Sequence, residues 1–250
     1  MNPGQDSDFN TEGGGTRPGR LWTPERFTSA MTRGERIAVL LYFPLHLWLL
    51  PMVLLRLPLT AGLSEVDLNL AVYGFSFFYM VLFAGRFLRR DFDPLCDRIF
   101  YCLVQVVLSY GMMLAFNMLL SVLLTAAIPQ ENPNNAAVVD MAGVEYGKTA
   151  ALAVFLAPFA EELMFRGAVF GGLRPYGRTL AYAVSMLLFS VYHVWGYALQ
   201  DPVYWIYLLQ YLPVSLLLCR CYERCDSIWG SILFHALVNA VSVRVLTALA

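Results

Sequence analysis

The sequence predicts an all-α fold, a multi-pass transmembrane bundle of about seven helical spans, and three observations carry that prediction. Apolar residues make up 58% of the 250-residue chain and charged residues 14%, against roughly 45–50% and 25% in soluble domains. Mean hydropathy is +0.58. The apolar residues gather into runs close to the roughly 20 needed to cross a bilayer core, and arginines collect in alternate connections between those runs.

Residues 1–35 are a different material, with a glycine run at Gly13–Gly15 and frequent Asp, Asn and Arg. They read as a cytoplasmic tail, disordered in part, and no apolar stretch of the kind a cleaved signal peptide needs comes before Ile37. Leu21 to Phe27, with Trp22 and Arg26, is a candidate interfacial anchor whose other reading is a solvated linker. Residues 36–250 form the transmembrane domain. Its spans are expected near 37–57, 68–88, 99–128, 148–173, 179–199, 203–222 and 228–249. Pro44 and Pro51 punctuate the first. The third is long enough to tilt or to break near Gly111, and the fourth carries Glu161, Glu162 and Arg166. An eighth span or a re-entrant piece is the other accounting.

Arginines set the orientation. Arg17, Arg20, Arg26, Arg33 and Arg36 precede the first span, Arg86, Arg89, Arg90 and Arg98 follow the second, Arg174 and Arg178 the fourth, and Arg220 and Arg224 the sixth. The alternate connections are acidic or neutral, with Arg56, Lys148 and Arg244 as single exceptions. Positive-inside logic then puts the N-terminus in the cytoplasm and, with an odd count, the C-terminus outside.

Polar residues inside three of these spans carry the functional reading. Glu162 and Arg166 stand at i, i+4 just after Glu161. Phe189 and His193 share that spacing, and so do His235 and Asn239. Positions four apart share a helix face, and ionisable groups at mid-bilayer cost about 2.5–3.5 kcal/mol each, so they mark function more often than they sit idle. At 1.5 Å per residue Glu162 lies about 18 Å from its cytoplasmic end, His193 about 21 Å, and His235 to Asn239 roughly 10–17 Å. All are within a core about 30 Å thick. Arg166 can hold Glu162 in a structural or orienting role, which leaves Glu161 as the candidate general base. Their blander reading is a buried cluster that only fixes helix contacts. His46 has no polar partner at helical spacing and reads as a satisfied core histidine.

The set Glu161-Glu162-x-x-x-Arg166, Phe189-x-x-x-His193 and His235-x-x-x-Asn239, in that order on three apolar helices, resembles the CAAX-protease and bacteriocin-processing family, also called Abi or CPBP. Ala157-Pro158, Phe165-Arg166-Gly167, Leu188-Phe189 and Gly230-Ser231-Ile232-Leu233 resemble the family's flanks, so that the likeness covers about residues 145–245. It implies an intramembrane endopeptidase in which Glu161 and His193 activate water. His235 and Asn239 would then stabilise the oxyanion or join His193 in holding a metal. Metal-free chemistry needs no cofactor. Zinc chemistry would take His193, His235 and Glu161 as ligands with a water in the fourth position. Asn is an unusual zinc ligand, which tilts the expectation to the metal-free form.

Gly167 and Gly171, with Ala160 and Gly172, permit close approach to the motif helix, and the expected beneficiaries are the partners of Glu161. Cys96, Cys102, Cys219, Cys221 and Cys225 are odd in number and clustered at span ends, unlike a disulfide framework. No phosphate-binding glycine loop calls for ATP, and no basic patch fits nucleic acid. The expected partners are the lipid bilayer and a lipid-anchored or membrane-embedded peptide or protein, such as a prenylated CAAX-type one, admitted past the first three spans. The expected location is a bacterial plasma membrane. A non-catalytic membrane immunity or scaffold protein is the rival reading, since a fold does not fix an activity.

Overall fold

The computed structural model describes residues 27–127 and 131–249, and every described regular element is helical. In chain order they are α1 (Arg33–Leu54), α2 (Glu65–Arg90), α3 (Ile99–Ala127), α4 (Pro133–Ala151), α5 (Ala157–Glu162), α6 (Arg178–Ala198), α7 (Leu208–Cys225) and α8 (Ile228–Leu249). Shorter turns join them. Among the described residues six helices are long and apolar enough to cross a membrane, starting at Arg33, Glu65, Ile99, Arg178, Pro202 and Ile228. The remaining predicted span, 148–173, falls inside a run of helical turns from Pro133 to Leu173 that is kinked at Glu145. Of the two readings of the long third span, a tilt or a break near Gly111, the break does not occur, since α3 is continuous.

Local chemistry explains where the helices begin. Thr32 and Glu35 form a capping box at α1, with the Thr32 backbone N–H donating to Glu35 Oε2 at 2.8 Å, which satisfies donors the first turn leaves free. Ser64 caps α2, whose first turn is acidic and last turn basic, both favourable to the helix dipole. α8 is capped from a distance: Asp91, just past α2, accepts from the Ile228 N–H, and Ser227 Oγ donates to the Asp91 carbonyl at 2.6 Å. α3 is apolar on all sides, and Phe100, Val107 and Met118 stay exposed, as expected of surface meeting acyl chains.

The stretch from Pro133 to Leu173 is irregular. It kinks at Glu145 (φ −146°, ψ 78°) and widens into π turns at Leu152–Leu156 and Leu163–Phe170. In the first π turn the Ala157 N–H reaches Leu152, five residues back. Pro158 would continue that ladder to Ala153 but has no N–H to give.

The buried core gathers Phe87, Phe165, Phe170, Phe189, Tyr222 and Phe234 from five segments. The glycines of the motif stretch serve it, although not as expected. A Cβ on Gly167 would lie 2.7 Å from Met31 Cε, one on Gly171 2.8 Å from Ser29 Cβ, and one on Gly172 2.9 Å from Arg36 Cδ. They admit the segment leading into α1, and the partners of Glu161 arrive from other directions. Residues 21–26 of the candidate anchor lie outside the described residues, while Phe27 is buried edge-on against Tyr222 and Phe170. All five cysteines are free, and four are buried.

Candidate active site

Glu161 and Glu162 end α5 between the two π turns, and their side chains diverge as adjacent helical positions must. Glu162 and Arg166 are wholly buried, with Arg166 Nη1 donating to Glu162 Oε1 at 2.9 Å. The guanidinium also donates to Ser215 Oγ on α7 at 2.8 Å and lies 4.3 Å above the Phe189 ring. A charge placed so deep is tolerable only when paired and hydrogen-bonded. His235 from α8 completes the group, its Nδ1 2.8 Å from the same Glu162 Oε1.

Glu161 faces the other way. Its Oε1 accepts from the Tyr73 hydroxyl on α2 at 3.0 Å, and its Oε2 lies 3.7 Å from His193 Nε2 and 3.8 Å from His235 Nε2. All three side chains are largely buried. Three motif residues far apart in sequence thus meet at one carboxylate oxygen.

The hydrogen bonds fix which imidazole atoms face the site. His193 Nδ1 lies 2.8 Å from the Phe189 carbonyl, which can only accept, so Nδ1 carries the proton. His235 Nδ1 donates to Glu162 in the same way. In the neutral rings both Nε2 atoms then present lone pairs towards Glu161 Oε2. The ring of His193 is fixed on its other face by Tyr211, stacked at 4.6 Å. Phe189 serves three neighbours: its carbonyl takes His193, its face takes Arg166, and its ring meets His235 edge-on at 5.7 Å.

Asn239 is spent differently. Its Nδ2 donates to the Ala153 carbonyl at 2.8 Å, the acceptor that Pro158 leaves without a helical donor. Spacing alone puts Asn239 on the face of His235 but gives no sign of that bond.

A zinc ion with bonds of about 2.0–2.1 Å in tetrahedral array sets its ligand atoms about 3.3–3.4 Å apart. The gaps of 3.7 and 3.8 Å at Glu161 Oε2 are wider. Among the described residues no group of three or more His, Cys, Asp or Glu side chains is arranged to hold a metal ion. The donor types would suit zinc, with gaps a few tenths of an ångström wider than a bound ion would set.

Sequence reasoning did not single out Tyr73, Tyr192 or Tyr211, and it read His46 as a satisfied core histidine with no polar partner at helical spacing. The structure joins three of them. Tyr73 and Tyr192 hydroxyls are 2.8 Å apart, Tyr192 is 3.0 Å from His46 Nε2, and His46 Nδ1 is 3.0 Å from Ser76 Oγ. His46 and Tyr192 lie on different helices, so no i, i+4 pattern could reveal the pair. The available signal was three polar-tipped residues, His46, Tyr73 and Ser76, in the middle of apolar runs.

Residues 147–241 match the sequence profile of a family described as Rce1-like, type II CAAX prenyl endopeptidase. The matched stretch holds all seven motif residues, from Glu161 to Asn239. No curated protein and no solved structure matches the chain.

Proposed function

We propose that this CAAX/CPBP-family membrane protein is an intramembrane endopeptidase that hydrolyses a peptide bond of a prenylated or otherwise membrane-associated protein without a metal. The observation that supports it most is the meeting of Glu161 Oε2 with the Nε2 atoms of His193 and His235 at 3.7 and 3.8 Å.

In this mechanism a water sits against Glu161 Oε2 and His193 Nε2, both acceptors, which aims its oxygen lone pair at the scissile carbonyl. Glu161 takes one water proton as the C–O bond forms, giving a tetrahedral oxyanion and a neutral carboxyl. His235, carrying a second proton on Nε2 while Nδ1 donates to Glu162, gives a hydrogen bond to that oxyanion. One such donor typically contributes about 2.7–4 kcal/mol in the transition state. Collapse of the intermediate breaks the C–N bond, and Glu161 returns its proton to the leaving amine. Glu162, with Arg166, orients His235 and stays out of the proton transfer. Asn239 holds the first π turn through Ala153, and so sets the height of Glu161.

The family's prenyl endopeptidase description and the lipid-facing helices together suggest a substrate that arrives within the bilayer. The test is cleavage of an internally quenched CAAX peptide, farnesylated or not, by the protein in lipid nanodiscs. Cleavage at least tenfold faster for the farnesylated form is expected, with rates unchanged by a zinc chelator. Equal rates would overturn the prenyl preference, and chelator sensitivity would overturn the metal-free chemistry. Absence of cleavage across lipidated and plain peptides would favour the scaffold or immunity reading.

A further inference from the structure

Hydrolysis inside a bilayer needs a supply of water, and the chemistry above leaves its route open. Around the site Arg166 and Ser215 fill the Glu162 side, the Tyr211 ring stacks on His193, and Asn239 is drawn to Ala153. Tyr73 stands against the other oxygen of the Glu161 carboxylate.

Behind Tyr73 lies a cavity of about 310 Å³ between α1 and α2. At about 30 Å³ per molecule it has room for roughly ten waters. Much of its lining is apolar, with Pro51, Leu54, Leu68 and Val72 among it, and its polar lining falls in two groups. Glu65 and Asn69 belong to the first turns of α2, which makes their end the mouth, and His46, Tyr73 and Tyr192 lie on the side of Glu161, which makes theirs the floor. The mouth is at the charged end of the spans, where Lys148 pairs with Asp67 and Glu145 at 2.7 Å each. Eight residues of α2 separate Glu65 from Tyr73, about 12 Å of helix. The floor then adjoins the site, because Tyr73, which lines the cavity, also donates through its hydroxyl to Glu161 Oε1 at 3.0 Å.

We infer that hydrolytic water reaches Glu161 through this cavity, and that Tyr73, braced by Tyr192 and His46, is the polar contact that hands it on. The inference rests on the peptidase reading but concerns a different part of the molecule. Tyr73, Tyr192 and His46 are positioning residues: they hold the inner end of the path and the Glu161 carboxylate in one hydrogen-bonded chain. Apolar walls with polar ends suit a transit path, since water finds partners at both ends and weak ones between them.

Thiol labelling tests this in the full chain in nanodiscs. Cys96, the exposed native thiol, is first replaced by Ser, and Asn69→Cys is added. A charged, water-soluble methanethiosulfonate is expected to label the introduced thiol to completion, to lower kcat at least tenfold with KM unchanged, and to be reversed by reductant. Leu59→Cys, on the exposed loop after α1, should label equally without effect on cleavage. Leu55→Cys, at the mouth, replaces Asn69→Cys if the latter lowers cleavage before labelling. Failure to label would overturn the path whatever the activity, because labelling reads water access without turnover. Complete labelling with an unchanged rate would overturn it too. A protein that labels as expected, but in which Glu161→Gln cleaves normally, would instead sink the peptidase reading.

Discussion

Adjacent glutamates with opposite surroundings are the feature on which the chemistry turns. Glu162 is locked between Arg166 and His235, whereas Glu161 meets one hydroxyl and the Nε2 atoms of two imidazoles. Removing the charge from each should therefore do different things. Glu162→Gln leaves the wholly buried Arg166 without its counter-charge, and loss of one partner of a buried pair typically costs about 3–5 kcal/mol. A large drop in thermal stability in nanodiscs is expected. A melting temperature equal to wild type would show that Arg166 is satisfied by Ser215 alone. Asn239→Leu keeps the side chain's approximate size but removes its donor to Ala153, leaving a carbonyl unsatisfied at a cost of about 1–3 kcal/mol. It should lower stability and activity together. A pure fall in kcat at unchanged stability would instead assign Asn239 to the oxyanion. Tyr73→Phe deletes the hydroxyl that meets both Glu161 and Tyr192, so kcat should fall at least tenfold while KM holds, as steady-state kinetics can measure.

Elements place these residues through irregularities more than through regular helix. Helical spacing was legible in the sequence and correctly joins Glu162 to Arg166, because i, i+4 contacts are local. It gives no view of Glu161 meeting His193 and His235, which needs three helices to converge. Nor does it reveal that Pro158 follows a π turn and strands the Ala153 carbonyl for Asn239. The close approach permitted by Gly167 and Gly171 was legible as well, but its beneficiary was not. Segment 29–36 fits against those glycines, as a composition-based tail boundary near residue 35 gives no reason to expect. Gly171→Val should push Ser29 away, since the added Cβ alone would lie 2.8 Å from Ser29 Cβ. Overpacking of this kind typically costs about 1–3 kcal/mol. Lower thermal stability, with faster proteolysis near residue 30, is expected; unchanged digestion would mean that the segment does not depend on this contact.

Across the whole molecule, hydropathy was the most legible signal and orientation the least constrained by structure. Six helices meet the length and hydropathy of a span, and the polar motif stretch is the segment that composition alone would reject. Although Glu162 Oε2 and Arg166 Nε are left without a hydrogen bond, its charged groups meet partners from α2, α6, α7 and α8, which is how a stretch holding two glutamates and an arginine can sit within the bundle. If that stretch also crosses, the crossings are odd in number. The arginine clusters then put the N-terminus in the cytoplasm and the C-terminus on the other side. Protease protection of terminal tags in inside-out and right-side-out vesicles checks this: the two tags should be cleaved in opposite preparations. Cleavage of both in the same preparation would make the count even.

The most direct measurement compares wild type, Glu161→Gln and Glu162→Gln for cleavage of a farnesylated quenched peptide in nanodiscs, with melting temperatures recorded on the same samples. A general base at Glu161 predicts that Glu161→Gln loses at least a thousandfold in kcat while melting as wild type, and that Glu162→Gln loses stability along with rate. Normal cleavage by a well-folded Glu161→Gln protein would contradict the assignment of Glu161 as the group that activates water.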